Sequence, residues 1–246
     1  MSRKLLSLFA ALFFALTLPA CAKEDKKEAK VRETVEKMLN TKVKSVTKTG
    51  YLGLYEVYFN GEIIYVDEKV TVILSGQLID PKRDAAGRMR NITGERMAKL
   101  SAIQFSDLAL ANAIKQVRGD GKRILATFED PNCGYCKRLA QDLLKVDNIT
   151  HYLFLIPVLS EDSNMKTRQI WCAPDPAQAW NDWMLRNQAP TGKGDCDTAA
   201  IDRNIEFAHE HNINGTPALI FTDGELIPGA LPAAQIEAKM NQLANK

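Results

Sequence analysis

The sequence predicts an α/β fold, preceded by a smaller α+β unit. The first signal is a Cys-x-x-Cys motif at 133–136, which lies between a strand-like apolar run at 123–128 and a helix-like run at 137–144. The second is an Asn-Gly pair at 60–61 and an Asp-Gly pair at 223–224. Each pair separates two short runs rich in β-branched and aromatic residues, as the turn of a β-hairpin does.

Composition is that of an ordinary globular protein. The chain has 246 residues, 46% of them hydrophobic and 25% charged, enough for one large or two modest domains. The formal net charge is only +2. Nucleic-acid binding usually requires a strongly basic face, so we expect no nucleic-acid partner.

Residues 1–22 have the pattern of an export signal. Two basic residues precede an apolar stretch at 5–18 and a small-x-small cleavage site at 20–22. The apolar stretch is too short for a membrane anchor and is followed at once by the charged run 23–27. We therefore expect the signal to be removed, which leaves the mature chain near neutral.

Cys21 leaves the site of cleavage open. The stretch 18–21 is also similar to a bacterial lipobox, in which Cys21 would become the lipid-bearing first residue. Pro19 is atypical for that box, so we expect cleavage after Ala22, with a lipid anchor at Cys21 as the alternative. Either outcome delivers the protein across the inner membrane to the periplasm.

The pattern of the N-terminal unit, 23–86, predicts one helix followed by a β-meander. Its helix at 26–40 carries a single apolar stripe. Strands are expected at 51–59, 62–66, 70–74 and 77–79, the last two around a Ser-Gly turn. A unit this small buries a thin core and has no mature cysteine, so we expect dimerisation through its sheet edge. The alternative is a monomer in which this unit packs on its neighbour.

A linker region is expected at 87–109, after a polar connector at 81–88. Two short helices are predicted around it, the second ending at the glycine-rich stop 119–121. Their apolar faces are Met97, Leu100 and Ile103 in the first, and Leu110, Ile114 and Val117 in the second.

The last unit, 110–246, has the element order of a thioredoxin-like fold with a helical insertion. The elements predicted in order are a strand at 123–128, a helix at 133–146, a strand at 151–158, a helical stretch at 161–211, strands at 218–222 and 225–227, and a helix at 232–244. The cysteine pair lies on the first strand–helix turn, and Thr216-Pro217 precedes the final hairpin.

The position of the cysteine pair at a helix start is informative about its chemistry. Free N–H groups and the helix dipole favour a thiolate at Cys133, and the thiolate is the species that attacks disulfides. A redox pair, half of a zinc site and an inert bridge all remain open from the spacing. Export disfavours zinc, and Cys172 and Cys196 do not form a second short knuckle. We therefore expect a redox pair, with no metal and no cofactor.

Four motifs carry a family resemblance: 128–136 (Phe-Glu-Asp-Pro-Asn-Cys-Gly-Tyr-Cys), 170–173 (Ile-Trp-Cys-Ala), 214–218 (Asn-Gly-Thr-Pro-Ala) and 226–229 (Leu-Ile-Pro-Gly). In these motifs the chain resembles the DsbC/DsbG family of periplasmic disulfide isomerases. Members carry a thioredoxin-fold domain behind an N-terminal dimerisation domain. The resemblance covers about residues 95–246, whereas 23–80 matches mainly in length and element order.

The resemblance implies a role for each site residue. Cys133 would be the attacking thiol and Cys136 the resolving thiol. Pro217 would be a cis-proline beside them, with Thr216 offering backbone groups to an extended substrate and Tyr135 contributing to substrate binding. From the residues alone, an ordinary trans turn at 216–217 remains the alternative.

Cys172 and Cys196 correspond to the family's structural disulfide. Closing a loop of about 25 residues would stabilise the domain by roughly 3 kcal/mol on the loop-entropy account. Two buried free thiols are the alternative.

The implied activity is isomerisation or reduction of incorrect disulfides in unfolded or misoxidised exported proteins. It requires a reduced cysteine pair, so a membrane thiol reductase of the DsbD type is the implied partner of a homodimer. The alternatives are a DsbA-like disulfide oxidase, a chaperone with incidental redox chemistry, and a DsbG-like reductase of oxidised single cysteines (sulfenic acids).

Several polar and aromatic residues receive structural interpretations. Thr127 stands where thioredoxins proper carry a buried acid, and Glu129 and Asp130 are expected in a solvated turn or helix cap. A proton-handling role for Glu129 and Asp130 is the alternative.

The three histidines are expected to have no functional role, and His209 and His211 to be solvated. Three tryptophans, Trp171, Trp180 and Trp183, are expected to pack the helical insertion.

Overall fold

A computed structural model describes residues 25–83 and 87–245. The predicted export signal and Cys21 lie outside the described residues. No helix within these ranges is both long enough and apolar enough to cross a bilayer.

The first helix, α1 (Lys26–Leu39), confirms the predicted helix at 26–40. Val31 and Val35 are buried on one face of α1, as the apolar stripe predicts. The helix ends at Asn40, whose left-handed backbone (φ 48°) stops it.

Helix α1 packs on a four-stranded antiparallel sheet with strand order β1-β2-β3-β4. The strands are β1 (Ser45–Lys48), β2 (Tyr55–Phe59), β3 (Glu62–Val66) and β4 (Ile73–Ser75). The predicted Asn60-Gly61 hairpin is confirmed, because Phe59 pairs with Glu62 and both turn residues have positive φ. Strand β1 was not predicted, since Val46 is its only buried residue and an edge strand with one buried position gives little alternation.

The hairpin predicted around Ser75-Gly76 is wrong. Strand β4 pairs with β3, whereas β5 (Ile79–Arg83) pairs with β6 (Met89–Asn91) in a separate two-stranded ribbon. This ribbon occupies part of the stretch predicted as a polar connector. Its residues are almost all exposed, so backbone pairing forms it without the apolar alternation that identifies a strand in sequence.

The first predicted linker helix is confirmed in part as α2 (Ile92–Leu100). The Asn91 side chain accepts a hydrogen bond from Gly94 N (2.9 Å) and caps its start. Ile103 lies beyond the helix, is buried, and donates its backbone N–H to the carbonyl of Gly224 (2.9 Å). Two 3-10 turns follow, Phe105–Asp107 and Leu110–Asn112.

The second predicted helix, with Leu110, Ile114 and Val117 on one face, is wrong. Residues Ile114–Arg118 form a strand, β7. In a strand, residues three apart point to opposite faces, and Ile114 is accordingly buried while Val117 is 58% exposed. Val117 completes an apolar spacing typical of a helix, and the sequence alone does not show that this valine is exposed.

The second sheet has five strands in the order β11-β10-β8-β9-β7. Its remaining strands are β8 (Arg123–Glu129), β9 (Ile149–Leu155), β10 (Ala218–Phe221) and β11 (Leu226–Pro228). Strands β8 and β9 are parallel and joined by α3 (Gly134–Leu143), while the other pairs are antiparallel. The predicted βαβ unit and final hairpin are therefore confirmed.

The helical insertion is confirmed as three helices, α4 (Glu161–Trp171), α5 (Pro176–Arg186) and α6 (Ala199–Glu210). A closing helix, α7 (Ala233–Ala244), follows β11. Cys172 and Cys196 form a disulfide that ties the end of α4 to the segment before α6. The whole order is that of a thioredoxin-like fold with a helical insertion.

Both faces of the second sheet carry apolar cores. Phe128, Phe154 and Ile220 pack toward α6, and a second cluster packs toward α3 and α7. The third cluster contains both cysteines of the motif together with Leu153, Leu155, Trp180 and Met184. The cysteine pair is thus part of the core.

Replacing both bridge cysteines, Cys172→Ser with Cys196→Ser, is expected to lower the free energy of unfolding by about 3 kcal/mol, because the unfolded chain regains the freedom of the closed loop. Urea denaturation of the variant and wild type, at equal redox state of the motif, measures the difference. A loss below about 1 kcal/mol would show that the bridge does not constrain this unfolded chain.

Candidate active site

The motif cysteines lie at the junction of β8 and α3. Cys133 is the N-cap of α3, with extended backbone angles (φ −76°, ψ 118°), and its Sγ accepts a hydrogen bond from Cys136 N (3.2 Å). Both cysteines are free thiols. The sulfur of Cys133 therefore faces the free N–H groups at a helix start, where negative charge is stabilised.

The environment of Cys133 favours its thiolate. The largest effect is a hydrogen bond from the Cys136 thiol, which with other donors lowers the pKa of Cys133 to about 6. Those other donors are the backbone N–H groups of Cys136 and Tyr135, while partial burial acts in the opposite direction. Cys133 is consequently ionised at neutral pH.

Cys136 has the opposite character. It is completely buried, and this burial is the largest cause that raises the pKa of its thiol, followed by interactions with Cys133 and Glu129. Cys133 retains an exposed fraction of 4%. An external disulfide can therefore reach Cys133 but not Cys136.

The Thr216-Pro217 loop lies against the sulfur of Cys133. The peptide bond between these residues is cis, and Cys133 Sγ lies 3.1 Å from the carbonyl oxygen of Thr216. The adjoining strand β10 pairs with β8, with Ala218 opposite Phe128. This pairing brings together Cys133 and Thr216, which are 83 positions apart in the chain.

Apolar side chains are exposed between the motif cysteines and on the segments that follow β9. Tyr135 is 67% exposed between the two cysteines. Val158 and Leu159 are each about half exposed on the loop that Asp130 ties to the motif loop, and Met165 is about half exposed on α4. We call Tyr135, Val158, Leu159 and Met165 the apolar rim.

Asp130 is buried, so the prediction of a solvated turn is wrong for it. Its Oδ1 accepts hydrogen bonds from Asn132 N (2.7 Å) and the Ser163 hydroxyl (2.8 Å). Its Oδ2 accepts from the backbone N–H groups of Val158 (2.9 Å) and Leu159 (3.0 Å). Asp130 does form a turn, but its main effect is to hold the motif loop against the loop that carries the apolar rim.

Glu129 is also buried, and the solvated interpretation is wrong for it as well. The Thr127 hydroxyl donates to Glu129 Oε1 (2.7 Å) and lies 2.7 Å from His151 Nε2. Burial is the largest cause that raises the pKa of Glu129 to about 8. The expectation that all three histidines are unremarkable is therefore wrong for His151. For Glu129 the sequence did contain a signal. Side chains alternate between the two faces of a strand, so Thr127 and Glu129 lie on the same face of the buried strand β8.

The tryptophans pack the insertion as predicted. Trp180 is buried against the cysteines, and Trp183 and Trp171 are partly buried beside it. The indole N–H of Trp183 donates to the carbonyl of Pro131, and Lys137 Nζ lies 4.0 Å from its ring centroid. Helix α5 thus supports the loop that carries Cys133.

Residues 25–83 and 87–245 contain no group of three or more His, Cys, Asp or Glu side chains able to hold a metal ion. The arrangement can perform thiol–disulfide exchange with its own side chains.

Comparison with known proteins finds matching families for both units of the chain and similar whole proteins. Residues 110–244 match the thioredoxin-like domain family, and residues 22–94 match the N-terminal domain family of disulfide bond isomerase proteins. The chain is 48% identical over 198 residues to a probable thiol:disulfide interchange protein DsbC of Bordetella pertussis, covering 80% of this chain and 68% of that protein.

Two further relatives extend the comparison. The thiol:disulfide interchange protein DsbC of Escherichia coli K12 is 24% identical over 221 residues, covering 87% of this chain and 88% of the relative. The crystal structure of a disulfide interchange protein from Neisseria gonorrhoeae has a TM-score of 0.53 at 37% identity, covering 55% of this chain and 97% of that one.

Alkylation of Cys133 by iodoacetamide is expected to rise with pH around a midpoint near 6, the pKa that its hydrogen bonds produce. Peptide mass spectrometry of the reduced protein measures the rate, and Cys136 should stay unmodified. Cys136→Ala, which removes the thiol donor, should move the midpoint upward, whereas Cys136→Ser keeps a donor and should move it less. A wild-type midpoint near 8.5, the value of an unperturbed cysteine, would contradict this description.

Asp130→Ala is expected to lower the free energy of unfolding by about 3 kcal/mol, since it leaves buried N–H donors of two loops without an acceptor. Urea denaturation measures the loss. Asp107→Ala, at an exposed position, is the control and should change stability by less than about 0.5 kcal/mol. Equal effects of the two substitutions would show that the Asp130 hydrogen bonds do not support the loops.

Proposed function

Because the chain belongs to the DsbC family of thiol:disulfide interchange proteins, we propose that it rearranges or reduces incorrect disulfides in exported proteins. It is a thiol-disulfide oxidoreductase with a thioredoxin-like fold. The observation that carries the proposal is the contrast between its two thiols: Cys133 is ionised and reachable, whereas Cys136 is buried and protonated.

In the proposed reaction the Cys133 thiolate attacks one sulfur of a client disulfide. A Cys133–client disulfide forms, and the other client sulfur leaves as a thiolate. In isomerisation, a client thiolate attacks the bonded client sulfur, which forms a new client disulfide and returns Cys133 as a thiolate. No electrons leave the client in this branch.

Reduction takes the second branch. Cys136 loses its proton and attacks Cys133, which forms the Cys133–Cys136 disulfide and releases the client sulfur as a thiolate. The client gains two electrons and the motif loses two. A further turnover then needs an external dithiol, so a membrane thiol reductase of the DsbD type is part of the proposal.

Client binding is supported by the apolar rim and by the Thr216-Pro217 loop. The rim offers apolar contact to an unfolded chain without sequence specificity. Thr216 lies beside the reactive sulfur, where its backbone can align an extended client segment. Tyr135, the most exposed residue of the rim, would contact the client next to the exchanged bond.

Homodimer formation is supported by the edge of the first sheet. Ile73 and Leu74 in β4, and Val72 just before it, are each about half exposed, and β4 is the last strand of its sheet. An exposed apolar edge strand favours pairing with a second copy. Two copies would present two reactive thiolates to one client.

A periplasmic location is supported by the export pattern at 1–22 and by the Cys172–Cys196 disulfide. Disulfides form and persist in oxidising compartments. We propose that the protein is soluble after signal cleavage, with a lipid anchor at Cys21 as the alternative.

Scrambled ribonuclease in a glutathione buffer tests the activity. Wild type should restore ribonuclease activity, whereas Cys133→Ser should be at least 100-fold slower because no thiolate starts the exchange. Cys136→Ser should keep part of the isomerisation and accumulate mixed disulfides. An isomerase acts on scrambled ribonuclease, whereas a pure oxidase acts only on the reduced form.

The same variants separate an enzyme from a holdase. If Cys133→Ser still repaired scrambled ribonuclease at the wild-type rate, the assignment of the attacking thiol would be wrong. If all variants only suppressed client aggregation, the protein would be a chaperone.

A further inference from the structure

The resolving step has a chemical requirement that the cysteines do not meet by themselves. Cys136 must lose a proton before it can attack the Cys133 sulfur, yet it is fully buried and burial raises its thiol pKa. A client bonded to Cys133 would cover the only one of the two sulfurs that has any exposed surface. A base inside the protein would remove this obstacle.

Glu129 is placed to be that base. It is the last residue of β8, only 1% exposed, and close enough to Cys136 that each group shifts the pKa of the other. Its Oε1 accepts the Thr127 hydroxyl, but none of the described residues donates a hydrogen bond to its Oε2. A buried carboxyl oxygen without a donor is costly, so its retention calls for a functional reason.

The hydrogen bonds around Glu129 define which oxygen can take a proton. A hydroxyl has one proton, so when Thr127 donates to Glu129 Oε1, His151 Nε2–H must donate to Thr127. Burial, with the charge of Arg118 as a smaller effect, lowers the pKa of His151 to about 4, which keeps the imidazole neutral. Oε1 is therefore occupied, and Oε2 is the free acceptor.

A cavity of about 360 Å³ leads from this buried group toward the surface. Glu129, His151 and Trp180 line its buried end, and the exposed residues Lys115 and Gln178 lie at its outer end. Cys133, Tyr135 and Thr216 contribute no wall to it. Water in this cavity can exchange protons with Glu129 while a client covers the reactive sulfur.

We propose that Glu129 is the base that accepts the proton of Cys136 during the resolving step and returns it to water in this cavity. The assignment rests on the proposed function. The S–H bond of Cys136 breaks and its proton moves to Glu129 Oε2. The Cys136 thiolate then forms the bond to Cys133 Sγ, and the client sulfur leaves with the electron pair of the broken disulfide. When a reductase later attacks Cys133, Glu129 takes a proton from water in the cavity and passes it to the Cys136 thiolate that is released.

The pH dependence of this step is distinctive. The titratable groups closest to Glu129 are the two motif cysteines and His151 from β9. The other charged groups that line the cavity with Glu129 are Lys115 and Arg118 from β7 and Asp175, the N-cap of α5. In the mixed disulfide Cys133 no longer titrates, and the pKa of His151 lies near 4. Burial raises the pKa of Glu129 to about 8 in the free dithiol, with the charge of Cys133 as a smaller cause that the mixed disulfide lacks. Resolution should therefore quicken as pH rises and level off at or below about pH 8, once Glu129 is ionised.

Ellman's reagent separates the two chemical steps in the full-length reduced protein. Cys133 attacks the reagent and releases one coloured thiolate, and Cys136 then releases the second. The first phase tests Cys133 and hence the proposed function, whereas the second phase tests Glu129. Stopped-flow absorbance from pH 6 to 9 records both phases.

Glu129→Gln keeps the size and the Oε1 acceptor but cannot take a proton at Oε2. Its first phase should match wild type, and its second phase should be about 100-fold slower at pH 8, the lower end of what a general base contributes. Glu206→Gln, on the exposed face of α6, is the control and should match wild type in both phases.

A different result is expected if Glu129 does not act as a base. A carboxylate that acted only through its charge would raise the thiol pKa, so its removal would leave the second phase unchanged or make it faster. A second phase within threefold of wild type, or faster, would overturn the proposal. If Glu129→Gln does not fold, as judged by circular dichroism, the wild-type profile decides: a second phase whose rate keeps rising up to pH 9 without levelling off would overturn the proposal.

Discussion

The candidate site depends on the pairing of β10 with β8. This pairing, with Ala218 opposite Phe128, places Thr216 at 3.1 Å from the Cys133 sulfur although the two residues are far apart in sequence. One strand ends in the cysteine motif and the neighbouring strand begins after the cis-proline loop. A shift of one residue in the register would turn every side chain of β10 to the other face and separate the loop from the sulfur.

Burial then makes two chemically identical side chains different. Cys133 lies at the helix start, where donors stabilise its charge, and Cys136 lies one turn later in the core, where charge is disfavoured. The start of α3 therefore exposes one nucleophilic thiolate, Cys133, and keeps the second thiol, Cys136, buried and protonated. A dithiol with this asymmetry attacks through one defined sulfur.

The buried polar residues around the motif divide into two groups. Asp130 uses both carboxyl oxygens to accept four hydrogen bonds, and these hold the motif loop against the loop after β9. Glu129, the preceding residue, uses one oxygen to accept a hydrogen bond from Thr127 and leaves the other without a donor among the described residues. Two adjacent acids, one at the end of β8 and one in the following turn, thus have different roles: Asp130 organises the site, and Glu129 is available for proton transfer.

By itself the sequence determined the features that short segments encode. The cysteine pair at a strand–helix junction, the Asn-Gly hairpin and the βαβ order were all predicted, because turn residues and apolar periodicity act locally. The tertiary structure alone decided that 114–118 is a strand, that the exposed stretch 79–91 contains a ribbon, and that the loop before Pro217 lies against Cys133. Alternation along β8 indicates which face Glu129 shares with Thr127, but only the packing of helices and strands on that face determines its burial. Strand pairing and burial depend on neighbours that are distant in sequence, so a local pattern does not determine them.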